Sequence, residues 1–121
     1  MSIPFMWFDL ATPDDGSQAA EFYRQMFGWD VADAGVGGYR SWIGGPQPWA
    51  GTVAAAPGTA GQWLPYIVVD NLDQATKQAV LLGATIVRDV TDGPAGTSVT
   101  IADPGGAQLA LFKPHPANST R

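Results

Sequence analysis

Apolar residues recur at helical spacing in two stretches of this chain and at strand spacing through most of the remainder. In the first helical stretch Ala19, Phe22, Tyr23, Met26 and Phe27 stand at i, i+3, i+4, i+7 and i+8, which places all five on one stripe. Asp15, with Gln18 three residues on, has the spacing of a capping box, and Gly28 can take the left-handed conformation that ends a helix. Residues 70–83 follow the same plan. Asn71 with Gln74 supplies the start, Leu72, Ala75, Ala79 and Leu82 the stripe, and Gly83 the stop. The chain therefore reads as two copies of one supersecondary unit.

Strand patterning fills in the rest. Residues 4–10 alternate, with Met6, Phe8 and Leu10 on one face and Phe5, Trp7 and Asp9 on the other. A second strand opens at 29–31, residues 33–38 read as a loop or hairpin turn, Tyr39–Ile43 as a third strand, 44–48 as a turn and 49–56 as a fourth strand. Residues 57–61 join the copies. Residues 63–69 then form a strand with Pro65 near its start, followed after the second helix by strands at 85–90, 97–102 and 107–112. Turns at 92–96 and 103–106 separate the last three. The order is βαβββ twice: an α+β fold of two modules, about 4–57 and 62–113, with a loose tail over 114–121.

Composition narrows the function more than it names it. The 121 residues suit one domain, and a 45% hydrophobic content fits an ordinary globular core. The absence of cysteine excludes disulfides, a thiolate nucleophile and cysteine-ligated metal, and makes the cytoplasm the default location. No export signal and no apolar run of membrane-spanning length is present, so no membrane partner is expected. Six Lys and Arg against eleven Asp and Glu argue against nucleic acid, whose phosphates need clustered cations. The glycines at 35–38 lack the Lys and Ser or Thr of a phosphate loop. His115, the single histidine, sits between prolines in the tail, which excludes a Ser-His-Asp triad.

The runs WFDLATPD, AAEFYRQMFGW, WLPYIVVDNLD, LGATIV and DPGGAQLALFKP together resemble the vicinal oxygen chelate superfamily, the glyoxalase, bleomycin-resistance and extradiol-dioxygenase group. Nearest in character are glyoxalase-like proteins of unassigned activity with W-x-[DE]-L in the first strand. The resemblance implies two modules whose sheets form half-barrels around a cavity, usually completed in a homodimer. It also implies one metal ligand on each of four strands, at Phe5, near Ala54, at Leu64 and at Ala110. None of these side chains can donate an electron pair, and Thr52, Trp63 and Leu109 one position away are no better. The expectation is that the metal centre is absent and that no cofactor is held.

Strand alternation then sets Phe5, Trp7 and Asp9, Leu64, Tyr66 and Val68, and Gln108, Ala110 and Phe112 on the inward faces, with Tyr39, Trp42, Trp49 and Trp63 at the mouth. Such an aromatic and apolar wall with a few polar groups has the composition of a small-molecule pocket. The competing account is that these aromatics are core or dimer interface. Asp9 is either a general acid or base or an exposed strand-end residue bonded to Arg40 or Arg88. The two arginines are either surface residues or a clamp for a ligand carboxylate. The expected function is binding of a small organic molecule by a homodimer. The alternatives are a glyoxalase-type lyase, isomerase or dioxygenase and a purely structural dimer.

Overall fold

The computed structural model describes residues 4–13, 16–36, 39–43, 49–55, 58–93 and 95–115, with the side chains of 31–43 set aside. The elements run β1 (Phe5–Thr12), α1 (Ser17–Phe27), β2 (Asp30–Val36), β3 (Tyr39–Ile43), β4 (Ala50–Ala54), β5 (Gln62–Val68), α2 (Leu72–Leu81), β6 (Thr85–Asp92), β7 (Gly96–Ala102) and β8 (Gln108–Pro114). This is the α+β, twice-repeated βαβββ order that the hydrophobic pattern predicts. Strands of the first repeat hydrogen-bond in the order β2-β3-β4-β1, and those of the second in the matching order β5-β8-β7-β6. Each module has one parallel pair, β1 with β4 and β5 with β8, and is otherwise antiparallel. The compact units are cut slightly differently from the repeats, as Trp7–Leu64 and as Pro65 onward with the residues up to Met6.

In the Trp7–Leu64 unit the helix stands on an aromatic floor. Leu10 and Ala50 are buried, and Phe8, Ala19, Ala20, Tyr23, Trp29, Trp49 and Trp63 pack around them. Tyr23 stacks on Trp29 at 5.3 Å and 14°, and its hydroxyl accepts a 3.0 Å hydrogen bond from Trp63 Nε1. Trp49 stacks on Trp63 and meets Phe8 edge-on. Of the predicted stripe, Ala19 and Tyr23 pack against the buried core, joined by Ala20 from outside it. Phe27 packs on Trp29 at 4.8 Å and Phe22 meets Tyr23 edge-on, yet these two and Met26 stay more than half exposed. The helix begins without a side-chain cap. Gly16, at φ 77°, is the N-cap residue and its carbonyl takes the Ala20 N–H at 2.9 Å, while Asp15 lies outside the described residues. Gly28, at φ 74°, closes the other end as expected.

The second unit has an aliphatic core. Leu72, Val99, Ile101 and Leu111 are buried, with Ile67, Val69, Ala75, Ala79, Ala84 and Leu109 against them. Burial of Val99, Ile101 and Leu111 contributes about 1.5–3 kcal/mol each. Asn71 Oδ1 caps α2 by accepting the Gln74 N–H at 3.0 Å, as its position in the sequence predicts. Leu82 is not part of the stripe. The helix ends at Leu81, Leu82 becomes the C-cap residue and is 72% exposed, and Gly83 turns the chain at φ 106°. The segment expected to be a tail begins later than the sequence suggests. β8 continues to Pro114, paired with Gly96, and the His115 N–H donates to the Ala95 carbonyl at 3.0 Å. Residues 116–121 lie outside the described ones.

Candidate functional site

The strands with described side chains turn one face to the helix of their unit and the other away from it, and the residues of interest are those turned away. In β7, Val99 and Ile101 enter the core beneath α2, so Ser98, Thr100 and Ala102 point oppositely. Register then fixes what stands beside them, since directly paired residues share a face. Thr100 pairs with Ala110 on β8, and Ala110 pairs with Tyr66 on β5. Across the other edge of β7, Thr100 pairs with Arg88 on β6. The result is a single row, Arg88–Thr100–Ala110–Tyr66, crossing all four strands of the second module. One step along, Ser98, Phe112 and Val68 form the next row, and Gln108 lies beside Ala102.

The two rows are graded from buried to wet. Ala110 is fully buried and Thr100 is 9% exposed, Tyr66 and Phe112 are half-buried, and Arg88 is exposed. The Tyr66 and Phe112 rings meet edge to face at 5.8 Å and 69°, forming an aromatic corner over the small Ala110. Among the described residues, the Thr100 hydroxyl makes no hydrogen bond and Arg88 no ion pair. Thr100 was not singled out by its sequence. Its only signal is the alternation around Val99 and Ile101, and the register is needed to give that alternation neighbours.

In the first module the face away from α1 carries Trp7 and Asp9. The Trp7 indole donates to Asp9 Oδ1 at 2.9 Å, a contact that two-residue strand spacing makes natural. Asp9 is only 7% exposed and lies in mid-strand, so the reading of it as an exposed strand-end residue is corrected. Its pairing partner is Gly51, which offers no side chain beside the carboxylate. Arg40 pairs with Thr52, one position from Gly51, and its side chain is among those set aside. Arg88 belongs to the other unit.

The remaining predicted residues divide. Leu64 is half-buried and, by alternation with Trp63, turns away from the aromatic cluster, while Phe5 is half-buried at the start of β1. Trp63, half-buried, packs with Trp49 in the cluster under α1, and its indole N–H donates to the Tyr23 hydroxyl. The side chains of Trp42 and Tyr39 lie outside the described residues. At the positions the family resemblance assigns to a metal, Phe5, Ala54, Leu64 and Ala110 present carbon only, a donor set that does not fit a cation. Among the described residues no three His, Cys, Asp or Glu side chains come together in a group able to hold a metal ion. No helix among them is long and apolar enough to cross a membrane.

Paired βαβββ modules, each with one parallel strand pair and a helix on one face, define the glyoxalase type of fold. The chain belongs to the glyoxalase-like domain family, whose model matches residues 7–112. It is similar to the anthracycline biosynthesis protein DnrV of Streptomyces peucetius, at 30% identity over 111 residues, 88% of this chain and 40% of DnrV. It is also similar to the anthracycline biosynthesis protein DauV of Streptomyces sp. (strain C5), at 34% identity over 113 residues, 88% of this chain and 40% of DauV. The chain thus spans well under half the length of these relatives. The crystal structure of methylmalonyl-CoA epimerase from Mycobacterium tuberculosis has the same fold, with a TM-score of 0.56 at 18% identity, covering 100% of this chain and 97% of that one.

Proposed function

We propose that this chain binds a flat, fused-ring aromatic molecule, without a metal ion, on the strand faces turned away from its helices. The observation that carries this reading is the Tyr66–Phe112 corner standing over Ala110. A planar guest gains edge-to-face and dispersion contacts there. The carbon-only residues at Phe5, Ala54, Leu64 and Ala110 support the metal-independent part, and the biosynthetic role named for DnrV and DauV supports an aromatic, fused-ring guest. Titration with anthraquinone-2-carboxamide, followed by calorimetry, tests it. Binding should survive excess chelator, and Phe112→Ala should weaken it about tenfold, the loss of roughly 1.4 kcal/mol of ring contact. Absence of binding, or its abolition by chelator, would refute the reading.

A homodimer belongs to the same proposal. DnrV and DauV are long enough to hold a second unit of this size, and Phe22, Met26 and Phe27 on α1 leave apolar surface that a second copy would cover. Sedimentation at the concentrations of the titration should give twice the chain mass, and a monomer would count against it.

One observation favours a second reading. Asp9 is a buried carboxylate beside a glycine, which is where an acid or base of a glyoxalase-type lyase, isomerase or dioxygenase would need to be. Chemical conversion of a bound probe that Asp9→Asn eliminates would favour this reading over pure binding.

A further inference from the structure

We propose that Arg88 and Thr100 form an acid-recognising end of the second module's open face, so that the guest is an aromatic carboxylate, or an aromatic with an equivalent anionic group. The inference rests on the aromatic-binding reading above and adds the chemistry of the guest's other end. Three observations carry it.

The first is placement. Register sets Arg88 and Tyr66 at opposite ends of one row, three strand spacings apart, or about 14 Å between backbones. Side chains reaching inward from both ends shorten that span to the length of a two- or three-ring molecule with one substituent. The second is the guanidinium itself. Arg88 has no ion pair among the described residues, and the acids of its own strand are engaged elsewhere. Asp89 accepts its neighbour Val90's N–H at 2.7 Å, and Asp92 accepts from Thr97 Oγ1 at 3.2 Å and lies 3.6 Å from His115 Nε2. A guanidinium fork left open in this way matches a carboxylate geometrically. The third is Thr100, directly paired with Arg88, 91% buried by its 9% exposure, and with a hydroxyl that finds no partner among the described residues. A buried hydroxyl without a partner is uncommon in folded proteins and calls for a ligand atom or water. A carboxylate held by Arg88 supplies an acceptor at that point, and Ala110, which pairs with both Thr100 and Tyr66, adds only a methyl between them.

The test compares anthraquinone-2-carboxylate with its neutral isostere, anthraquinone-2-carboxamide, by calorimetry on the full chain. The native protein should bind the acid about tenfold or more tightly than the amide, as expected of a charge-assisted pair, and Arg88→Gln should erase that preference by weakening the acid far more than the amide. Arg88→Lys, which keeps the charge and loses the fork, should restore part of the preference. Because Arg88 is exposed on an edge strand, unchanged circular dichroism of both variants is expected and confirms that they fold. Equal affinity for acid and amide in the native protein, or an acid preference that survives Arg88→Gln, overturns this assignment and leaves the aromatic reading standing. Failure of both probes to bind overturns the two together.

Discussion

Replacing Thr100 by valine is a near-isosteric change that exchanges a hydroxyl for a methyl on the second module's open face, and it should make the unliganded protein more stable, against the usual effect of a buried substitution. The side chain is 9% exposed and its hydroxyl makes no hydrogen bond among the described residues, so no native hydrogen bond is lost. What is removed is the desolvation cost of the orphaned group, about 1–3 kcal/mol in general, while valine keeps the β-branched shape favoured in strands. Residual access to solvent places the net gain near the low end, about 1 kcal/mol, which for 121 residues corresponds to a rise in Tm of about 4 °C. Urea unfolding followed by circular dichroism and differential scanning calorimetry should agree on the gain, with the m-value unchanged. An unchanged or lowered midpoint would refute the argument, because it would mean that the protein itself, or a firmly held water, already satisfies the hydroxyl. The same variant should bind anthraquinone-2-carboxylate more weakly than the native chain does, so that stability and binding move in opposite directions.

Two further outcomes follow from local geometry. A Cβ built on Gly96 would lie 2.4 Å from the Lys113 carbonyl oxygen and 2.7 Å from both Phe112 Cζ and Pro114 Cα, so Gly96→Ala must push β7 and β8 apart where they pair. It should cost about 3 kcal/mol or more and lower the urea midpoint accordingly, and a loss within experimental error would show that the pair can spread. On α1, the hydrogen bond from Arg24 and then that from Gln25 hold the Glu21 carboxyl below its ordinary value of 4.5. A folded-state pKa depressed in this sense adds stability above the unfolded value and loses it as pH falls through the folded one. Glu21→Gln should therefore be slightly less stable than the native chain near neutrality and indistinguishable from it well below pH 4.5 in thermal melts, and the site's full exposure keeps the effect small. A variant that gained stability at neutral pH would contradict the sign.

Periodicity was enough to place both helices and the order of the eight strands, although β2 runs on to Val36 through residues that read as a loop, held there by pairing with β3. It also contained a constraint that the expected pocket violates. Trp63 and Leu64 are adjacent in β5 and take opposite faces of the strand, Trp63 packing into the aromatic cluster under α1. The Trp7–Asp9 bond was likewise implicit in the same-face spacing of the first strand. The exposed half of the α1 stripe was not legible, because a helical pattern states which residues could be covered and not which of them are. The end of β8 is not legible for a related reason: Pro114 reads as tail by composition, yet pairing with Gly96 holds it in the strand.

The position of Arg88 shows where reading by period must fail. Ile86 pairs with Ile101, which faces the core, and an unbroken ladder would then set Arg88 opposite Val99, also facing the core. The ladder is broken between Ile86 and Arg88, so that Arg88 pairs with Thr100 instead. One extra residue on the β6 side reverses the face of Arg88, as a bulge does, and a second shift follows between Arg88 and Thr91. The cost of the alternative explains why the irregularity is there: a guanidinium pointed at Val99, which is 1% exposed, would be desolvated with no anion to meet it. The bulge relieves that conflict by turning Arg88 onto the face that holds Thr100 and the Tyr66–Phe112 corner. A cation, an orphaned hydroxyl and an aromatic corner thus share one surface through a backbone irregularity that no alternation of apolar and polar letters records.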